Sequence, residues 1–275
     1  MQSKITLNGL NFHVLHEGTG QPVLLLHGFP DSSRLWRNQI PALVKAGFQV
    51  IAPDLRGFGE SDKPIETESY ALPLIVGDVL GILEQLNAGR VHVVGHDWGA
   101  AVAWSLAALQ PDRVDRLAVL SVGHPATFFK AGLEQREKSW YMLLFQFRGV
   151  AETMMTRDDW KLFRDWVDHH PESEHWIADL SRPGALTASL NWYRANASPE
   201  NSVPERWALP SVKAPTLGVW SSGDRYLTET QMLLSYQNVS SSFRYERIEG
   251  ASHWLQLDRP DLVNEVLVEF LSGSS

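Results

Sequence analysis

An apolar run, Val91 to Val94, leads directly into Gly95-His96-Asp97-Trp98-Gly99. The next residues, Ala100-Ala101-Val102-Ala103-Trp104, read as the start of a helix. A strand that bends at once into a helix projects the residue at the bend above the sheet, and small residues two before and two after it avoid steric clash. The helix N-terminus then sets backbone N–H groups and a partial positive charge beside that side chain. In the serine version of this turn, G-x-S-x-G, the bend carries a hydroxyl. Here it carries the carboxylate of Asp97. With a reference pKa near ~3.9, a carboxylate is ionised at neutral pH without an assisting base. It can attack a saturated carbon bearing a leaving group and form an alkyl ester, which frees a histidine to activate water against that ester. The competing reading makes Asp97 only a helix N-cap; the flanking glycines, the buried strand and the partners downstream favour the nucleophile.

Those partners follow in the order nucleophile, acid, histidine. The apolar run Thr216 to Trp220 ends in Ser221-Ser222-Gly223-Asp224, which places a carboxylate in the loop at a strand's carboxyl end. Glu249-Gly250-Ala251-Ser252-His253-Trp254 precedes a final helix, Pro260 to Leu271. His253 therefore belongs to the loop between the last strand and the last helix, a placement that none of the other nine of the ten histidines has. Asp224 is positioned to hold the imidazole in its working tautomer and to stabilise its protonated form. His27-Gly28-Phe29-Pro30 follows the strand Val23 to Leu26 and can aim the Phe29 N–H at the Asp97 carbonyl. With the Trp98 N–H it would form an oxyanion hole, one donor of which is worth roughly 3–4 kcal/mol. The Phe29–Pro30 bond is a candidate cis peptide, and His27 is expected to brace this loop.

The elements that carry these groups alternate. Val23–Leu26, Val50–Ala52, Val91–Val94, Leu117–Ser121 and Thr216–Trp220 read as buried strands, with helices such as Tyr70–Leu86 and Trp98–Gln110 between them. Continuous apolar strands alternating with helices predict a doubly wound, mostly parallel α/β sheet covered on both faces. The pattern breaks between Phe128 and Leu209, a mostly helical stretch holding six of the eleven tryptophans: Trp140, Trp160, Trp166, Trp176, Trp192 and Trp207. An aromatic-rich helical insert between sheet strands reads as a lid over an apolar pocket. The expected division is a core of 1–127 and 210–275 with a lid at 128–209.

A chain of 275 residues can bury roughly 75% of its unfolded surface. No apolar run reaches the ~18 residues needed to span a bilayer, and Met1 to Val14 alternates like a strand, with no charged start ahead of an apolar stretch. The expectation is no signal peptide and a cytoplasmic location. A net charge of -8 disfavours nucleic acid, and the lack of cysteine excludes disulfide and thiolate chemistry. No cofactor, metal or membrane partner is expected, and the oligomeric state is left open.

At these residues the chain resembles the soluble epoxide hydrolases of the α/β-hydrolase superfamily, which are close to haloalkane and fluoroacetate dehalogenases. The resemblance runs almost end to end. It takes in His27-Gly28-Phe29-Pro30, Asp54-Leu55-Arg56-Gly57-Phe58-Gly59-Glu60-Ser61, Gly95-His96-Asp97-Trp98-Gly99, Asp224 and His253-Trp254. It implies the α/β-hydrolase fold, an Asp97–Asp224–His253 triad and a small apolar epoxide hydrolysed with water to a diol. The family protonates the leaving oxygen with two lid tyrosines, which Tyr141 and Tyr193 match. Phe29, Trp98 and Trp254 are expected to touch substrate. A dehalogenase is the runner-up. Many haloalkane dehalogenases carry Asn where this chain has Phe29, and fluoroacetate dehalogenases carry arginines where it has Trp98 and Ala101. A non-catalytic ligand-binding protein on the same fold is a third reading, opposed by the intact triad, and a serine-type esterase does not fit Asp97.

Overall fold

The computed structural model describes residues 1–128, 130–201 and 208–273. Eight strands form one sheet: β1 (Gln2–Leu7), β2 (Leu10–Glu17), β3 (Pro22–Leu26), β4 (Gln49–Pro53), β5 (Val91–His96), β6 (Val114–Leu120), β7 (Thr216–Ser221) and β8 (Phe243–Ile248). Their order is β1-β2-β4-β3-β5-β6-β7-β8. Only the β1–β2 and β2–β4 pairs are antiparallel. Strands β3, β5 and β7 are mostly apolar and buried on both faces, as parallel strands between helical layers must be.

The N-terminal segment corrects one expectation. Met1 to Val14 is not a single strand but a hairpin, folded at Asn8-Gly9, where φ is 51° and 81°. Two successive left-handed residues make the turn whose twist suits a hairpin, and Asn-Gly is its strongest sequence signal.

The sheet is flanked by α1 (Gln39–Lys45), α2 (Leu72–Gln85) and α3 (Trp98–Leu109). The expected helix from Tyr70 starts two residues later. Pro73 sits in its first turn, where a missing N–H costs nothing. Between β6 and β7 lie α4 (Pro125–Phe128), α5 (Leu133–Lys138), α6 (Trp140–Gln146), α7 (Val150–Trp166), α8 (Ser173–Leu180) and α9 (Ala185–Asn196), with no strand among the described residues. The chain returns to the sheet and closes with α10 (Glu229–Leu233), α11 (Leu255–Asp258) and α12 (Pro260–Leu271). Among the described residues no helix is long and apolar enough to cross a membrane.

The inserted helices are fastened to the core mainly through α8 and α9. Trp176 Nε1 donates to Asp31 Oδ2 at 2.8 Å, and Trp192 Nε1 donates to the Arg56 carbonyl at 2.9 Å. Asn196 accepts from the Leu72 N–H and donates to the Tyr70 carbonyl. Glu172 takes both Arg34 and Arg37 at 2.7 Å. These bonds give two of the insert's tryptophans, Trp176 and Trp192, a structural use. Trp176 and Trp192 are fully buried, whereas Trp140 is 51% exposed. Trp207 lies outside the described residues.

Candidate active site

Strand β5 ends and α3 begins at Asp97, whose φ of 52° and ψ of -125° mark the bend. A left-handed aspartate costs backbone energy that the surroundings must hold in place. The bend also needs a glycine two residues on, because a Cβ at Gly99 would collide with the Leu26 carbonyl.

The Asp97 carboxylate is held from one side. Its Oδ1 accepts the Phe29 N–H at 2.7 Å. Burial by itself would raise the Asp97 carboxyl, but the facing His253 imidazole and the Trp98 N–H hold it below the usual carboxylate range. The group is therefore ionised at neutral pH. Its other oxygen, Oδ2, lies 3.5 Å from His253 Nε2.

The opposite nitrogen, His253 Nδ1, lies 2.9 Å from Asp224 Oδ2. Asp224 Oδ1 accepts the Tyr226 and Leu227 N–H groups at 2.8 and 2.9 Å, which fixes the carboxylate in the loop after β7. Burial pushes the imidazole toward its neutral form, yet Asp224 first and Asp97 next outweigh it and hold the His253 pKa up at about 10. The backbone is pinned as well. His96 Nε2 and Ser121 Oγ both donate to the His253 carbonyl at 2.9 Å. Burial, followed by the charge of His253, holds the His96 pKa down at about 3, so it stays neutral beside the His253 imidazole.

A cavity opens above Asp97, lined by Trp98, Ala101, Val122, Pro125, Phe128, Tyr141, Met142, Tyr193, Ala197 and Leu227. Among the described residues Asp97 is its single charged lining residue. Tyr141 from α6 and Tyr193 from α9 are buried in its wall with ring centroids 5.9 Å apart. Burial first, then the charge of Asp97, raises both phenols well above their ordinary range. Both keep their protons at neutral pH and can donate them.

The structure thus brings Asp97, Asp224, His253, Tyr141, Tyr193, Trp98 and the Phe29 N–H to one place. Phe29 contributes its backbone. Its ring, expected at the substrate, does not line the cavity; it is buried among Tyr193, Phe145 and Trp166, at centroid distances of 5.8, 5.9 and 5.6 Å, and the peptide bond to Pro30 is cis. His27 braces the loop, its Nε2 accepting the Leu55 N–H at 2.9 Å. Trp254 departs from expectation: it does not line this cavity. Its ring is 4.4 Å from Trp176 and 5.2 Å from His170, turned toward the insert. Sequence reasoning also missed Val122, Pro125, Phe128, Met142, Ala197 and Leu227 as walls. Met142 adjoins Tyr141 and Leu227 lies three residues past Asp224, but no residue type marks such an apolar wall in advance.

A buried carboxylate on a strand-to-helix bend, with an acid–histidine pair from the loops after β7 and β8, defines an α/β-hydrolase with an aspartate in the nucleophile position. The family model described as the alpha/beta hydrolase fold matches residues 21–260, and the chain belongs to that family. Within it, the chain is 46% identical to epoxide hydrolase 2 of Siraitia grosvenorii, over 97% of this chain and 96% of that protein. It is 33% identical to epoxide hydrolase A of Mycobacterium tuberculosis, over 98% of this chain and 96% of that protein. Among solved structures it is similar to a Bacillus megaterium epoxide hydrolase in complex with an inhibitor. That match has a TM-score of 0.89 and 29% identity, and covers 98% of this chain and 100% of the other.

Proposed function

We propose that this protein hydrolyses epoxides to vicinal diols through a covalent ester on Asp97. The observation that carries the reading is the facing of an ionised carboxylate and two protonated phenols across one apolar cavity. An epoxide needs both at once: a nucleophile for carbon and a donor for the oxygen that remains tethered to the substrate. The names of the relatives support the same activity.

In the first step Asp97 Oδ2 attacks a ring carbon and the C–O bond breaks. Tyr141 and Tyr193 donate to the departing oxygen as its charge develops, where stabilisation lowers the barrier. The ester leaves Asp97 without charge, which removes one of the two carboxylates holding the proton on His253. That proton becomes available to restore the phenol, and neutral His253 is left as base. In the second step His253 takes a proton from water as the water oxygen bonds to the Asp97 carboxyl carbon. The oxyanion on Oδ1 sits against the Phe29 and Trp98 N–H groups. Collapse releases the diol and regenerates the carboxylate. In this scheme residues 128–209 form the lid that carries both phenols, and 1–127 with 210–275 form the core that carries the triad.

A dehalogenase needs N–H donors for a halide and, for haloacids, cations for the carboxylate. Phe29 offers only a backbone N–H already engaged by Asp97, and Ala101 presents a methyl group to the cavity. The test is direct. Styrene oxide and 1-bromobutane are incubated separately with the enzyme, and diol and bromide are quantified. Diol from the first with no bromide from the second is the expected result, and the reverse would overturn the proposal.

A further inference from the structure

The residues on both sides of the catalytic histidine are tied to the insert. Asp258, at the end of α11, accepts the Ser252 N–H on Oδ2 at 2.7 Å and faces His170 Nε2 on Oδ1 at 3.1 Å. His170 lies in the loop between α7 and α8. Its Nδ1 accepts the Glu172 N–H at 3.2 Å, so the proton is on Nε2 and is donated to Asp258. Burial opposes the charge of Asp258, yet the His170 and Ser252 bonds hold its carboxyl below the usual range. On the other side of His253, Trp254 is packed on Trp176 and His170, and His170 itself stacks on Trp176 at 4.9 Å and 24°.

Further pins on this loop come from the sheet. Ser221 Oγ donates to the Ser252 carbonyl at 2.6 Å, and His96 and Ser121 hold the His253 carbonyl. The sheet therefore fixes the loop's carbonyls. The insert reaches the Ser252 N–H through Asp258 and the Trp254 ring directly. Asp97 is anchored separately, by its bend and the Phe29 N–H.

We propose that His170 and Asp258 form a latch through which the seated insert positions His253, and that both are positioning residues for ester hydrolysis but not for ester formation. The inference rests on the epoxide reading above. Hydrolysis requires the imidazole, a water and the ester carbon in line, an alignment in which displacements near 1 Å cost on the order of 10²-fold. Alkylation needs only the carboxylate and the phenols.

The experiment is single-turnover mixing of the full chain with styrene oxide. Ester formation and ester decay are followed separately by intact-protein mass. His170→Phe keeps an aromatic ring against Trp176 and Trp254 but loses the N–H. Asp258→Asn keeps an oxygen for the Ser252 N–H but loses the match to His170. In both variants ester decay is expected to slow at least about tenfold, with ester formation within twofold of wild type. His170→Gln, whose amide N–H can reach the same oxygen, is expected to recover most of the decay rate. Ester formation and decay falling together, or both unchanged in the two variants, would overturn the latch while leaving the reaction standing. A wild type that forms neither ester nor diol would overturn the reaction and the latch with it.

Discussion

The Phe29 N–H reaches Oδ1 of Asp97 over 2.7 Å and so divides the labour of one carboxylate. In the proposed reaction the held oxygen is where negative charge gathers during ester hydrolysis. The other, 3.5 Å from His253 Nε2, is free to attack. A loop after β3 and a bend after β5 meet at this contact, and its geometry depends on the residue before Phe29.

That residue is Gly28, where a Cβ would stand 2.6 Å from both the Asp97 Cβ and the Trp98 nitrogen. Backbone and nucleophile must both shift to admit it. Gly28→Ala is expected to lower diol formation by roughly 10²–10³-fold, the usual loss when one oxyanion donor is displaced. Steady-state assays beside thermal unfolding check this. Wild-type kcat in a folded Gly28→Ala protein would show that the close approach is not needed.

His253→Gln is expected to stop the reaction halfway. Asp97 is ionised and needs no base to attack, so a mass increase equal to one epoxide should accumulate on the protein and map to Asp97. Diol release should fall by roughly 10²–10⁴-fold, the range of general base assistance. Wild-type release of diol from this variant would remove His253 from the role of base.

The two phenols are separable from the fold. Tyr141→Phe and Tyr193→Phe each remove a donor and keep a ring in a packed aromatic cluster. Each is expected to slow ester formation by about tenfold or more, and the double variant by more than either, with little change in Tm. Unchanged ester formation in the double variant would rule out the tyrosine mechanism and move the dehalogenase reading from runner-up to first place.

The triad also sets a pH dependence of stability. His253 is held at about 10 in the folded chain, against an ordinary value of ~6.5 when unfolded. Folded protein therefore binds this proton more tightly. The stabilisation is fully present below about pH 6.5 and is lost as pH rises through about 10. Between pH 7 and pH 10, wild type is expected to lose resistance to urea more steeply than His253→Gln. Equal slopes would show that Asp224 and Asp97 do not hold the proton.

Chemistry written into short stretches of chain was legible before any fold was known. The bend around Asp97 could be read because its glycines, its preceding apolar strand and its following helix are consecutive residues. Asp224 and His253 could be placed because a parallel sheet delivers its loops to one edge, so residues just beyond two strands must meet. The same logic reached Phe29 as a backbone donor. What sequence could not supply was direction. Tyr141 and Trp140 are neighbours on α6, yet one is 3% and the other 51% exposed. Nothing in their residue types says which faces inward.

Trp254 shows the limit most clearly. Adjacent to the base in sequence, it was expected beside substrate, but the turn after His253 sends its ring toward Trp176 and His170. The insert's Trp176 and Trp192 likewise serve anchoring, because an indole N–H buried at an interface must find an acceptor, and Asp31 and the Arg56 carbonyl provide them. Sequence alone determined the alternation of buried strands and helices, the charge of Asp97 and the loops that carry Asp224 and His253, since these follow from local periodicity and the charge of single side chains. Only the tertiary structure decided which aromatic rings wall the cavity, which phenols face Asp97 and what grips the loop of His253. Those outcomes depend on contacts between residues tens to hundreds of positions apart, where packing and hydrogen-bond satisfaction select one arrangement among many that the same sequence pattern permits.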